Sequence, residues 1–226
     1  MIAKRVAFVL RLIDDFNGII IQRQKFTFEI DGFGVKPIEK EEGLFVFAEP
    51  IKENVEVQII SGYYHACTIK VEKGTLDEKE PVAEVRLFRK PGIAYSPVIS
   101  YLSGRIEDKN VTHPVHVCVK SSKSTGLTFK EIREEEDGMY LICNGFTKEI
   151  TEGKTFCMTN NDKTDIFVIY EKKGVNGYKI KERIAGNYDP GTPIERIYRS
   201  ITDGKGNYSI PVNADEQDKI TEVLIL

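Results

Sequence analysis

The stretch Val6-Ala7-Phe8-Val9-Leu10-Arg11-Leu12-Ile13 decides the fold. It is apolar at nearly every position, rich in β-branched and aromatic side chains, and too short for a membrane span, so it reads as a long, centrally buried first strand. Asn17-Gly18 follows, a turn dipeptide whose two residues both tolerate positive φ. Upstream, Lys4 and Arg5 ahead of residues 6–10 imitate the charged and apolar regions of a signal peptide. The apolar run is broken by Arg11, however, and Asp14 and Asp15 stand where a small-residue cleavage site belongs.

Working outward, alternation with period two dominates and helical period is nearly absent. Residues 19–21, Phe26-Thr27-Phe28-Glu29-Ile30, Leu44-Phe45-Val46-Phe47, Val55-Glu56-Val57-Gln58-Ile59-Ile60, Cys67-Thr68-Ile69-Lys70-Val71 and Val82-Ala83-Glu84-Val85-Arg86-Leu87 continue the pattern. That is about seven strands in ninety residues with turn signals roughly every 8–12, the rhythm of a small antiparallel sandwich. Arg89-Lys90-Pro91-Gly92 and Ser96-Pro97 mark a boundary. Beyond it, strands are predicted at 99–106, 115–120, 139–142, 155–158, 165–170, 178–184, 194–201, 208–212 and 221–226, with a hairpin turn at Gly174-Val175-Asn176-Gly177. Two short helical turns are predicted, one at 128–135 and one where Asn213 and Glu216 have capping-box spacing. The expected fold class is therefore all-β: tandem antiparallel sandwiches at 1–90 and 98–226, the second elaborated.

The 226 residues are 41% hydrophobic and 30% charged with a net charge of −3, the balance of an ordinary globular chain without the basic face of a nucleic-acid binder. No segment has the ~18 apolar residues of a spanning helix. Cys67, Cys118, Cys143 and Cys157 are widely and irregularly spaced, and a chain of this size needs no staples, so all four read as reduced and structural and the protein as made and folded in the cytoplasm.

One pattern recurs: acidic residues, a glycine, an intervening residue, an aromatic, then alternating apolar residues. It appears as Glu41-Glu42-Gly43-Leu44-Phe45-Val46-Phe47, as Glu136-Asp137-Gly138-Met139-Tyr140-Leu141-Ile142, and as Asp203-Gly204-Lys205-Gly206-Asn207-Tyr208-Ser209-Ile210. Physically it is a glycine-bearing tight turn feeding a strand whose aromatic anchors the core. Together with Arg11-Leu12-Ile13-Asp14-Asp15-Phe16-Asn17-Gly18-Ile19-Ile20 and Ser61-Gly62-Tyr63-Tyr64, this resembles the carboxypeptidase regulatory-like and transthyretin-like β-sandwich family, prealbumin-like and Ig-like in class. Residues 186–194 carry a looser echo. The resemblance covers residues 1–90 and implies an accessory, non-catalytic module.

Chemistry-bearing groups are sparse. His113 and His116 stand three apart, which on a strand puts them on opposite faces; His116 and Cys118 share a face but make at most two ligands where zinc wants four. Acidic clusters at Asp14-Asp15, 134–137 and Asp162/Asp165 lack the calcium-loop spacing, and carboxylates beside turns are ordinary surface. No phosphate loop or nucleophile elbow is present. The expectation is no enzyme, no cofactor and no metal.

Aromatics near predicted strand ends are the better lead for binding: Tyr63, Tyr64, Tyr95, Tyr101, Tyr188 and Tyr198. The competing reading is that most of them fill cores. The function expected is that of a structural or assembly protein bound to other protein subunits, including copies of itself, with neither nucleic acid nor membrane as partner. A likeness to accessory components of phage-tail-like contractile particles, which assemble in the cytoplasm, supplies the setting. The alternative is a carbohydrate- or surface-binding module with a glycan ligand.

Overall fold

The computed structural model describes residues 5–48, 54–91, 98–108, 112, 114–145, 152–160, 163–217, 220 and 222–226. Among them strands dominate, no α-helix occurs, and the fold is all-β. The chain divides into two compact units, Met1–Asp14 with Ile19–Ile93, and Asp15–Gly18 with Ala94–Leu226.

The first unit is a sandwich. Its strands are β1 (Val6–Asp14), β2 (Phe26–Ile30), β3 (Phe33–Val35), β4 (Ile38–Lys40), β5 (Leu44–Ala48), β6 (Asn54–Ser61), β7 (Cys67–Glu72) and β8 (Val82–Leu87). They form two four-stranded sheets, ordered β4-β5-β1-β8 and β3-β2-β6-β7. Alternation puts Phe8, Leu10 and Leu12 of β1, Phe45 and Phe47 of β5, Phe28 of β2 and Val55, Val57 and Ile59 of β6 into one core. The aromatics interlock there: Phe8 stacks on Phe47 with centroids 4.6 Å apart, and Phe28 meets Phe47 edge-on at 5.4 Å. One pairing is not antiparallel: β1 and β8 run parallel. They are the first and last strands of the unit, so no hairpin constrains their direction.

Below this core lies a buried polar knot. Asp14 accepts hydrogen bonds from Arg89 Nε at 2.6 Å and from the Tyr64 hydroxyl at 2.9 Å, and all three residues are buried. A buried carboxylate is tolerable only when ionically and geometrically matched in this way.

The second unit holds β9 (Ile99–Arg105), β10 (His116–Lys120), β11 (Thr128–Glu135), β12 (Gly138–Asn144), β13 (Thr155–Asn160), β14 (Lys163–Lys173), β15 (Gly177–Ile180), β16 (Glu195–Ile201), β17 (Asn207–Asn213) and β18 (Leu224–Ile225). Eight of them form one sheet, β11-β12-β15-β14-β13-β16-β10-β18, while β17 and β9 pair separately. The elaboration of this unit is a closure. Phe129 N–H bonds Thr192 O, Gly191 N–H bonds Phe129 O and Ile194 N–H bonds Leu127 O, each at 2.8–3.0 Å, so the start of β11 is joined to the segment entering β16. The strands from β11 to β16 thus curl around Phe129, Leu141, Phe156, Met158, Phe167, Ile169 and Tyr178. Closure of this kind satisfies backbone groups that an open edge would leave to solvent. Beyond it, β17 and β9 pack on β10 and β16 through Val117, Val119, Tyr198, Ile210 and Val212.

The segment Thr128–Glu135 is a strand, not the helical turn predicted from its sequence. A bulge between Phe129 and Glu131 is the reason. The extra residue puts Phe129, opposite Cys143, and Ile132, opposite Leu141, on the same inward face despite their three-residue separation. Asn213 and Glu216 do make a turn, with Glu216 N–H bonded to Asn213 O at 3.0 Å. Of the predicted strand at 221–226, residue 221 lies outside the described residues and the strand among the rest is Leu224–Ile225; β3 and β4, absent from the sequence reading, are three-residue strands at the sandwich edge.

All three copies of the acidic-glycine pattern are turns into strands, namely β5, β12 and β17. In the first, Gly43 has φ of +69° and a Cβ there would lie 2.4 Å from Ile21 O, so only glycine fits. In the third, Asp203 Oδ1 accepts the N–H groups of Lys205 and Asn207. The aromatics divide. Phe45 enters the core, whereas Tyr140 projects from the opposite face to Leu141 and is buried under the Lys173 ammonium, 4.3 Å from its ring, with its hydroxyl on Asp137 at 2.6 Å. Tyr208 lies over Gly104, its cross-strand partner.

Candidate functional site

The two sheets of the first unit turn very different outer faces away from their shared core. In β3-β2-β6-β7 the outward positions are Thr27 and Glu29 of β2, Asn54, Glu56, Gln58 and Ile60 of β6, and Thr68, Lys70 and Glu72 of β7. That is the polar side expected of a half-buried sheet. In β4-β5-β1-β8 the register aligns Ile38 with Val46, Val46 with Val9, and Val9 with Val82, a row of four aliphatic residues crossing every strand on the outer face. A bulge at Ala7 brings Val6, paired with Ala48, to the same side. Ile38 and Val6 are 49% and 45% exposed, Val46, Ala48 and Val82 are half-buried, and Val9 is buried among them. The next row, Lys40, Leu44, Arg11 and Glu84, is charged at three of its four positions, with Arg11 Nη1 on Glu84 Oε1 at 3.1 Å.

An aliphatic row rimmed by an ion pair is what a sheet needs in order to receive another β-surface, since β-branched side chains standing upright on a pleat interdigitate. In the companion sheet, on the edge strand β3, Phe33 is 76% exposed. Phe33 pairs with Ile30, whose side chain faces the core, so the ring stands on the inward side but overhangs the sandwich edge. The turn presenting it, Asp31-Gly32, has positive φ at both residues, as a two-residue hairpin requires.

The predicted tyrosines have different surroundings within their own units. Tyr64, Tyr188 and Tyr198 are buried, each with its hydroxyl against a carboxylate: Tyr64 on Asp14, Tyr188 3.1 Å from Asp165 Oδ2, and Tyr198 donating to Glu216 at 3.1 Å. The correction has one cause: a tyrosine whose ring is buried needs an acceptor for its hydroxyl, which the buried Asp14 and Glu216 and the half-buried Asp165 supply. Tyr101 is half-buried on β9, Tyr63 is 44% exposed, and Tyr95 lies outside the described residues.

His116 and Cys118 do share a face, and Arg199, ion-paired with Asp15, lies on it too, opposite Cys118. The grouping is not poised for nucleophilic chemistry. Burial pushes the Cys118 thiol up to about 11 despite the nearby Arg199, and burial together with Arg199 lowers the His116 imidazole. Burial likewise raises Cys143 and Cys157 to about 12, and all four cysteines are free thiols. Among the described residues no group of three or more His, Cys, Asp or Glu side chains is placed to hold a metal ion. His113 is outside them.

Glu216 is the most elaborately held carboxylate. Burial alone would raise it, but hydrogen bonds from Ser121, Asn213 and Tyr198 and the nearby Arg196 bring it below its ordinary range. The Arg196 guanidinium also lies 4.5 Å from the Tyr198 ring. Ser121, Asn213 and Tyr198 all donate to this one carboxylate, so the cluster reads as a clamp on the turn after β17.

Sequence reasoning missed the aliphatic outer row because Val9, Val46 and Val82 sit in strands already apolar on the other face, and Ile38 lies in a three-residue strand too short to show a period. The signal was there in the near-continuous run 6–13, which lacks the polar alternation of β6 and β7. Comparison of the chain with protein-family models, with curated proteins and with solved structures finds no match.

Proposed function

We propose that the protein is a structural, assembly-type component that binds another protein subunit through the outer face of the β4-β5-β1-β8 sheet. The observation that carries this reading is the aliphatic row Ile38, Val46, Val9 and Val82, set against the polar outer face of the companion sheet in the same unit. Apolar rows at solvent-facing sheet positions cost solubility, and in native proteins they mark interfaces. The family resemblance agrees with an accessory role. Within that resemblance the Ig-like class is the less favoured, because β1 pairs with β5 and β8, whereas in the immunoglobulin scheme the first strand shares a sheet with the second. A contractile, phage-tail-like particle assembled in the cytoplasm is the setting that the sequence likeness offers. The glycan-binding alternative loses support, since three of the aromatics that motivated it are core residues.

The test is Val46→Lys combined with Ile38→Glu, compared with the outward, polar-face control Gln58→Lys, in protein recovered from its native source. Native mass spectrometry should find the wild type and the control in a defined complex with a partner subunit, and the double variant free of it with an unchanged melting temperature. A wild type that is a monodisperse monomer co-purifying with nothing, or a complex indifferent to the double substitution, overturns the reading.

A further inference from the structure

At the tip of the β4–β5 hairpin the first unit holds a cleft of about 480 Å³, within the size range of ligand pockets. Two chain segments line it: Gln22-Arg23-Gln24, and the hairpin tip with Glu39, Glu41 and Glu42. The segments come together at Gly43, where a Cβ would lie 2.4 Å from Ile21 O. None of these six side chains makes a hydrogen bond or ion pair among the described residues. Three carboxylates and a guanidinium therefore share one cleft without neutralising one another.

The turn itself does not account for these acids. In the other two acidic-glycine turns the carboxylate just before the glycine is committed within the fold. Asp137 accepts from the Tyr140 hydroxyl at 2.6 Å and from Lys179 Nζ at 3.1 Å, and Asp203 accepts from the N–H groups of Lys205 and Asn207. Glu42, in the equivalent position, makes no such bond. Its φ is nonetheless +67°, and that of Arg23 is +58°, so two of the three non-glycine residues with positive φ among the described residues line this cleft. That backbone favours glycine, and a long charged side chain held there costs stability with no internal contact to offset it.

We infer that the cleft receives a basic side chain, lysine or arginine, carried on an extended segment of the partner subunit. The inference rests on the interface proposed above, with which the cleft is continuous: Lys40 and Leu44 line it and also belong to the outer row next to Ile38 and Val46. The cation meets Glu39, Glu41 and Glu42, and the backbone carbonyls beside it accept from Gln22, Arg23 and Gln24, so one occupant satisfies both lining segments. A metal ion does not fit, because among the described residues no three His, Cys, Asp or Glu side chains are placed to hold one. The aliphatic row then supplies contact area and the cleft supplies selectivity, since an acidic segment would be repelled by the three carboxylates.

The test combines Glu39→Gln, Glu41→Gln and Glu42→Gln in protein recovered from its native source, with Glu56→Gln plus Glu72→Gln on the polar outer face as the control. All of these positions are exposed, so neither set should lower the melting temperature. The wild type and the control should retain the partner subunit, and the triple variant should bind it about tenfold more weakly. Added salt should weaken the wild-type complex more than that of the triple variant. A photoreactive residue at position 41 should join a partner peptide with a lysine or arginine beside the adduct. An adduct site with neither overturns the inference, as does a triple variant that holds the partner as the wild type does. If Val46→Lys with Ile38→Glu still releases the partner in that case, the apolar interface stands and the basic segment alone falls. A complex indifferent to the apolar pair, or no complex at all, overturns the interface and this inference with it.

Discussion

At the scale of single residues, the molecule is organised by carboxylates buried against tyrosines. Asp14 is held by Arg89 and Tyr64 with all three side chains out of water. Removing one member of such a pair strands the other, so Arg89→Leu should destabilise the first unit by about 3–5 kcal/mol, whereas Tyr64→Phe should cost about 1.5–3 kcal/mol. Adding Asp14→Leu to Arg89→Leu should recover part of the loss, a non-additivity measurable by urea denaturation of the three variants. Glu216 makes a pH prediction. Its folded value is depressed, so its contribution is present above the unfolded value of about 4.3 and is lost as pH falls through the lower folded value. Glu216→Gln should therefore flatten the acid side of the second unit's stability curve, and an unaltered acid limb would contradict the clamp. None of these pairings is legible in sequence. The tyrosines and acids can be counted, but Asp14 and Arg89 are 75 positions apart and only the fold joins them.

Individual elements show where sequence periodicity succeeds and where it fails. The strands 55–60 and 82–87 are readable from their alternation, and 6–13 from a near-continuous apolar run of strand length. Thr128–Glu135 misleads because its bulge converts a strand into something with helical spacing, and β3 and β4 hide because three residues are too few to show a period. The acidic-glycine turn is correctly read as a strand entry, and its steric reason is testable. Gly43→Ala should cost about 1–3 kcal/mol, since it combines positive φ with a clash on the Ile21 carbonyl. Gly32→Ala meets no atom within 4 Å and strains φ alone, so its smaller loss in the same thermal melt isolates the steric part. Equal losses would show that backbone conformation, and not the close approach, requires glycine at position 43.

For the whole molecule, the all-β class and the interior place of the cysteines could be read from composition and alternation, whereas the closure of the second sheet could not. That closure rests on backbone bonds between Leu127, Phe129 and residues 191–194, whose side chains announce nothing. Cys118, Cys143 and Cys157 are buried with raised thiol values, so a disulfide-exchange reagent should modify them only at the rate of unfolding, leaving the half-buried Cys67 as the fastest native thiol. Rapid labelling of all four in native buffer would contradict the burial described.

The central claim is that one outer face of the first sandwich is a protein interface and the other is not. Site-specific photo-crosslinking tests it directly: a photoreactive residue placed at Val46, on the aliphatic row, or at Gln58, on the polar outer face, and activated in the native source. The interface predicts a discrete adduct with another subunit from position 46 and none from position 58. Adducts of equal yield from both positions, or none from position 46, would contradict it.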